Sequence, residues 1–338
     1  MRDAAHGDVL KVWFYAAVSV LGGAWISPLF YNAGKALAEV AEVKQTNGPL
    51  EWLADRCRLA GFPDFFEVAI LVVALLLFVP FMDLLRGGRA VQGGKVGELR
   101  LPDGVRGGLA GQRLVRNPLG MVQAVAGFIG VSGLFFIFAG TLILAGIFEL
   151  KNPGVSLLKI ALRGFAMAWL LALVQEILFR GIAMGVFLRA MRPAAALGLS
   201  TLLFALVHML HAPAGLNVAD AEASGVGFEL LRKIAGQFSE VRFVLGTFLS
   251  LLALGGVLAY ARWKTASLWL PVGLHAGWIF INGITASVTV PAMHPDSPFW
   301  LLAGNSFHEG LVPLVGILIA GSLITRLTTP DDVPDFPA

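Results

Sequence analysis

Charge is what this sequence is short of. Only 14% of its 338 residues are Asp, Glu, Lys or Arg, against 57% apolar, whereas a soluble domain carries about 25% charged residues. The charges it does have leave long uncharged runs between them. That pattern argues against an ordinary water-soluble domain and for lipid as the solvent. Apolar/polar alternation is missing too, which excludes a transmembrane β-barrel. A helix is then the remaining structure that satisfies its own backbone in lipid. Cysteine is nearly absent. Cys57 stands alone, so no internal disulfide framework holds the fold, and with no ligand-type neighbours it is given no role. A formal net charge of +3, with no basic face joined to an aromatic platform, speaks against nucleic acid as a partner.

What is present is a series of long apolar runs. A bilayer core about 30 Å thick takes roughly 20 residues of helix. The runs place spans at about 12–31, 65–85, 119–148, 156–190, 194–212, 241–261, 267–290 and 309–325. The expected fold class is therefore all-α, a polytopic membrane helix bundle of about eight transmembrane helices. The first run follows Arg2 and Lys11, is long enough to span, and lacks a small-x-small cleavage site, so it reads as an anchor. Glycines in the third run would let another helix approach closely. The fourth run, about 35 residues and roughly 50 Å as a helix, should tilt or project.

Loop charges suggest an orientation. Arg86, Arg89, Lys95, Arg100, Arg106, Arg113 and Arg116 crowd the second connection against Glu98 and Asp103, which makes it cytoplasmic. Eight spans then put both termini on that side, and the loops at about 32–64 and 213–240 on the other. The expected location is a bacterial inner (plasma) membrane, with the bilayer itself as a partner. The tail with Asp331, Asp332 and Asp335 reads as a disordered end. The chain divides in sequence into an N-terminal extension with three spans (1–150), a core (151–292), and a last span with its acidic tail (293–338).

Ionisable residues deep in the runs are few. Glu176 and Arg180 lie in VQEILFRG, His208 and then His211 in LLFALVHMLH, and His275 in LPVGLHAGWIFIN with Asn282 following. A charge at mid-bilayer costs roughly 2.5–3.5 kcal/mol on insertion scales. Glu176 and Arg180 are spaced i,i+4 and so can pair on one helix face. A bland reading stops there, with an ion pair that offsets its own cost and histidines that serve as interhelical hydrogen-bond partners, His211 above all. Glu176, His208 and His275, however, lie within about four residues, roughly 6 Å, of their span centres. One carboxylate and two imidazoles are thus expected at one interior site. Such a set deprotonates a water or binds a divalent metal such as Zn. The zinc-protease pattern H-E-x-x-H is absent, which leaves Glu176, His208 and His275 as an alternative metal set.

Three stretches carry a resemblance. Gln175-Glu176-Ile177-Leu178-Phe179-Arg180-Gly181, then Phe204-Ala205-Leu206-Val207-His208, then His275 in Gly273-Leu274-His275-Ala276-Gly277-Trp278 resemble, in order and spacing, the motifs of the CAAX-protease and bacteriocin-processing (Abi) family of intramembrane endopeptidases. The resemblance covers about 155–290 and implies a conical protease-like core. It also implies hydrolysis of a peptide bond in a membrane-associated peptide or protein by an activated water. Two positions depart from the family pattern. Its first glutamate, the water-activating base, is Gln175 here, and an amide cannot take a proton from water at neutral pH. Its third-motif Asn or Asp falls on Ile279, with Asn282 a turn later as a substitute.

The roles that follow are expectations. Glu176 with His208 activates water, His275 with Asn282 stabilises the oxyanion, Arg180 orients Glu176, and Gln175 positions water or substrate backbone. Two other readings stand beside this one. Gln175 and Ile279 favour a pseudoprotease that binds membrane segments as a scaffold. Buried Glu, His and Arg also suit a proton-coupled transporter, but the inverted repeats expected of one are not seen in the sequence.

Overall fold

The structure, a computed structural model, describes residues 2–45, 47–90, 118–152, 154–212, 216, 218–292, 307 and 310–328. Among these residues the helices are α1 (Arg2–Val43), α2 (Pro49–Leu59), α3 (Phe62–Ala90), α4 (Gly120–Leu144), α5 (Leu157–Ala190), α6 (Pro193–His208), α7 (Val226–Gly236), α8 (Val241–Thr265), α9 (Trp269–Val288) and α10 (Leu311–Thr328). Two three-residue strands, β1 (Phe148–Leu150) and β2 (Thr289–Pro291), pair antiparallel with Glu149 opposite Val290. The protein is an all-α polytopic membrane bundle.

Among the described residues, five helical segments are long and apolar enough to cross a bilayer: His6–Val43, Phe62–Leu85, α4, α5 and α8. Pro193–His208 and Leu311–Leu327 are shorter apolar helices. α9 has 20 residues and carries His275 and Asn282 among its apolar side chains. Each predicted span is helical over most of its described length, but α1 runs well past 12–31, because KALAEVAEV continues it with strong helix formers. α2 and α7, 11 residues each, stand where loops were expected. They are too short to register as spans. The predicted basic connection from Lys95 to Arg116 and the acidic tail lie outside the described residues.

The chain forms two compact units. The first comprises Met1–Val96 and Val207–Ser239. In it α1 and α3 run antiparallel. Lys11 Nζ donates to the Leu84 carbonyl, Tyr15 stacks on Phe81 at 4.3 Å, and Gly23 and Gly34 meet Ile70 and Phe65. The Tyr15 hydroxyl donates to the Ala74 carbonyl at 2.7 Å, so a phenol inside a span keeps its hydrogen bond. α7 packs its apolar face, Val226, Leu230 and Ile234, on Ala24, Phe62 and Phe66. Gly227 makes this approach possible, since a Cβ there would collide with the Ala24 carbonyl. Lys35 Nζ donates to the carbonyls of Cys57, Arg58 and Ala60 at 3.1, 3.0 and 2.7 Å. One cation thus covers the bare acceptors at the C-terminal end of α2.

The second unit comprises Gly97–Leu206 and Glu240–Ala338. α4 and α9 run parallel at close range. Gly127 abuts the Leu274 backbone, Gly273 the Ala124 carbonyl, and a Cβ on Gly277 would lie 2.7 Å from the Phe128 carbonyl oxygen. Small residues four apart let two backbones touch, which is how helices associate when lipid supplies no hydrophobic drive. α5 runs antiparallel to α9, with Gly164 near Phe280 and Ala172 packed among Leu268, Val272 and Ala276. α8 and α10 are parallel. Ser250 donates to the Gly310 carbonyl at 3.2 Å, and Gly321 seats Val257.

Candidate active site

The site begins with a change of helical pitch in α5. Leu157–Glu176 is α-helical, Ile177–Ala183 is a π-helix, and Met184–Ala190 is α-helical again. Such wide turns are frequent at functional sites, because they re-aim side chains that a regular helix would fix. Glu176 closes the α-helical part and Arg180 sits within the wide turn. Both side chains have 0% exposure. Arg180 Nη1 donates to Glu176 Oε1 at 2.9 Å.

A second helix meets the same oxygen. His275, 2% exposed, lies with Nδ1 2.8 Å from Glu176 Oε1. Its neighbours Gly273 and Gly277 bring α9 against α4, so the ring is carried on a close helix contact. An arginine is always a donor. A neutral acid beside it would leave a buried cation unpaired, which is costly. Glu176 Oε1 accepts from Arg180 Nη1, and His275 Nδ1 lies within hydrogen-bond distance of the same oxygen.

Arg180 is itself held on three sides. Nη2 donates to the Gly255 carbonyl of α8 at 3.1 Å. The guanidinium lies over the Phe204 ring at 4.3 Å, a geometry worth about 2 kcal/mol when desolvated. Phe204 also presents its ring to His275 at 5.5 Å and 66°, and to Phe179 at 5.4 Å. Gly255 admits this packing. A Cβ there would sit 3.0 Å from Phe204 Cδ1 and 3.3 Å from the Thr201 carbonyl.

Three polar atoms at this centre are buried without a hydrogen-bond partner: Glu176 Oε2, Arg180 Nε and Gln175 Oε1. Buried polar atoms left bare in a native protein call for an explanation, such as an ordered water or a ligand. Each of these atoms is left to a water or a peptide group.

The other sequence-predicted residues fall as follows. Gln175 is half-buried beside Glu176 in the chain. Ile279 packs in an apolar cluster with Ala172, Trp169, Leu173 and Ile177, so that position has become a helix contact. Asn282 Nδ2 donates to the Trp278 carbonyl of its own helix at 2.8 Å. It lies two turns, about 10 Å along the axis, from His275. His208 is the last residue of α6 and half-buried. It follows Phe204 by one turn on the same helix face and falls in the first unit. His211, just beyond α6, bonds through Nδ1 to Glu67 Oε1 at 2.6 Å, a surface contact of that unit.

Sequence reasoning missed Gly255 as a partner of Arg180. The only signal was the pair Gly255-Gly256 inside an apolar run, and it does not say which carbonyl is used. Nor does the site suit a metal. Among the described residues no group of three or more His, Cys, Asp or Glu side chains is arranged to hold one. Glu176 Oε1 already carries the Arg180 cation, which would repel another.

Residues 156–281 match the family model for type II CAAX prenyl endopeptidase, Rce1-like. No curated protein and no solved structure gave a match.

Proposed function

The core of this chain belongs to the CAAX-protease and bacteriocin-processing family, and from that premise we propose that the protein is an intramembrane endopeptidase of the CAAX-protease type. It cleaves a peptide bond in a membrane-associated peptide or protein with water activated at the Glu176–His275 pair. The observation that carries this reading is the fully buried cluster of Glu176, Arg180 and His275, with Oε2 of the carboxylate left bare. A purely structural ion pair has no need of a second helix bringing an imidazole to the same oxygen.

Arg180 fixes Glu176, and Phe204 with the Gly255 carbonyl fixes Arg180. Gln175 contributes its amide to the water or to a substrate N–H. His208 lies one turn beyond Phe204 at the end of α6. The substrate must unwind locally, because a helix hides its peptide carbonyls. Lipid-modified C-terminal peptides are the first class to try. The location is a bacterial inner membrane with both termini cytoplasmic, as the loop charges suggest.

The test is cleavage of a panel of fluorogenic peptides, with and without a C-terminal farnesylcysteine, by purified protein in proteoliposomes. Wild type should cleave, Glu176→Ala should lose cleavage, and Gln175→Glu should raise it by supplying a second carboxylate. Unchanged cleavage in Glu176→Ala would end this reading. A pseudoprotease is favoured by the amide at position 175 and the apolar Ile279. It predicts peptide binding without turnover, and robust wild-type turnover that disappears in His208→Ala excludes it.

A further inference from the structure

Most cations of the five long apolar helices already have a partner in the protein. Lys11 is bonded to Asp8 and the Leu84 carbonyl, Lys35 to three carbonyls, and Arg180 to Glu176. Arg189, Arg242, Arg262 and Lys264 are engaged as well. Lys159 and Arg163 of α5 differ. Both are exposed, and among the described residues no group of the protein pairs with either.

The two cations are four residues apart and so share one helix face. Met167, Leu170 and Val174 continue that face, 51%, 56% and 47% exposed, while Ala168, Ala172 and Glu176 are buried on the opposite one. On a spanning helix such an outward stripe meets lipid, where ionisable side chains are rare because they are costly. Length places this pair at the bilayer edge. α5 crosses with 34 residues, about 51 Å of helix, against a hydrocarbon core of about 30 Å. Shared between the two ends, the excess is about 10 Å at each. Arg163 lies about 9 Å and Lys159 about 3 Å along the axis from Leu157. Arg163 thus falls at the hydrocarbon boundary and Lys159 among the headgroups, a layer about 5–7 Å thick. Their long stems let both heads meet a phosphate at that level.

We propose that Lys159 and Arg163 bind the phosphate of an anionic phospholipid, whose acyl chains run along Met167, Leu170 and Val174. Arg163 brings a planar fork of donors suited to phosphate oxygens, and Lys159 a point charge. Charge balance selects the headgroup. The first turn of α5 holds no acid, so a headgroup with its own cation adds to two uncompensated positive charges, whereas a net-negative one neutralises them. A free phosphate shares this chemistry but has no acyl chain for the apolar part of the stripe. Such binding does not depend on peptidase activity.

The experiment titrates lipid into full-length protein in a neutral detergent and reads the dissociation constant of the first bound lipid by native mass spectrometry. Phosphatidylglycerol and phosphatidylcholine with the same acyl chains are compared. At about 1 kcal/mol for each basic residue near anionic lipid, phosphatidylglycerol should bind Lys159→Gln or Arg163→Gln about 5-fold more weakly than wild type, and the double variant about 30-fold more weakly. Phosphatidylcholine should bind all four proteins alike. Lys44→Gln/Arg232→Gln removes the same charge from exposed positions outside α5 and should bind both lipids as wild type does. The single variants carry the test if the double variant does not fold. Equal phosphatidylglycerol affinity in wild type and folded single variants overturns the proposal, as does an equally large loss in Lys44→Gln/Arg232→Gln. Displacement of phosphatidylglycerol by millimolar inorganic phosphate would make this a free-phosphate site and overturns the lipid assignment.

Discussion

Arg180→Met tests how much of the site is electrostatic. The arginine is 1% exposed and its partner Glu176 has no exposed side-chain surface, so removing the guanidinium strands a carboxylate inside a membrane protein. Breaking a buried pair from one side costs about 3–5 kcal/mol, a large share of the 5–15 kcal/mol typical of a folded domain. Glu176→Leu should cost a similar amount by stranding Arg180. The double variant Glu176→Leu/Arg180→Met removes both charges and replaces them with apolar groups of similar bulk, which is often nearly neutral. It should therefore be far more stable than the sum of the single losses, with a coupling energy of about 3 kcal/mol or more. The assay is reversible unfolding of the four proteins in mixed micelles, followed by tryptophan fluorescence. A coupling below about 1 kcal/mol, the range of solvent-exposed pairs, would refute the buried-pair geometry.

Other expectations follow from the packing. Gly273→Val puts a side chain against the Ala124 carbonyl, and should destabilise the α4–α9 contact by more than the 1–3 kcal/mol of ordinary overpacking, seen as a lower melting temperature in detergent. Lys35→Met uncovers the carbonyls of Cys57, Arg58 and Ala60. It should cost about 1.5–3 kcal/mol for charge-assisted bonds, read as faster amide exchange confined to α2. His211 is shifted upward in pKa chiefly by its hydrogen bond to Glu67, with the charges of Glu67 and Asp64 adding to it. Its contribution to stability is therefore complete below the ordinary histidine value near 6.5 and is lost as pH rises through the raised one. With the ring 77% exposed the change should be within a few tenths of a kcal/mol. Glu67→Gln should flatten that part of the pH–stability curve.

Much of this was legible in the sequence, for physical reasons. Spans show because lipid tolerates few charges, and Glu176 with Arg180 shows because i,i+4 spacing puts both on one face. Depth along the spans was enough to bring out His275. The shared oxygen was not legible, since it depends on how α9 rotates against α5. Gly273 and Gly277 set that rotation by contact with α4. Gly255 was invisible because a backbone carbonyl has no residue type, and Phe204 because a motif phenylalanine does not announce what lies over its ring. Ile279 could be read only as a departure from a pattern, and the structure gives it a packing role against Trp169 and Leu173. α2 and α7 were missed because an amphipathic helix of three turns is silent in a search tuned to bilayer thickness.

The most direct measurement is peptide turnover by folded wild-type protein beside folded His275→Gln, in the same proteoliposomes with the same fluorogenic peptides. Hydrolysis by the wild type that falls to background in the variant is what the Glu176–His275 centre requires. Equal turnover by the two proteins, or no turnover by a wild type shown to be folded, would contradict it.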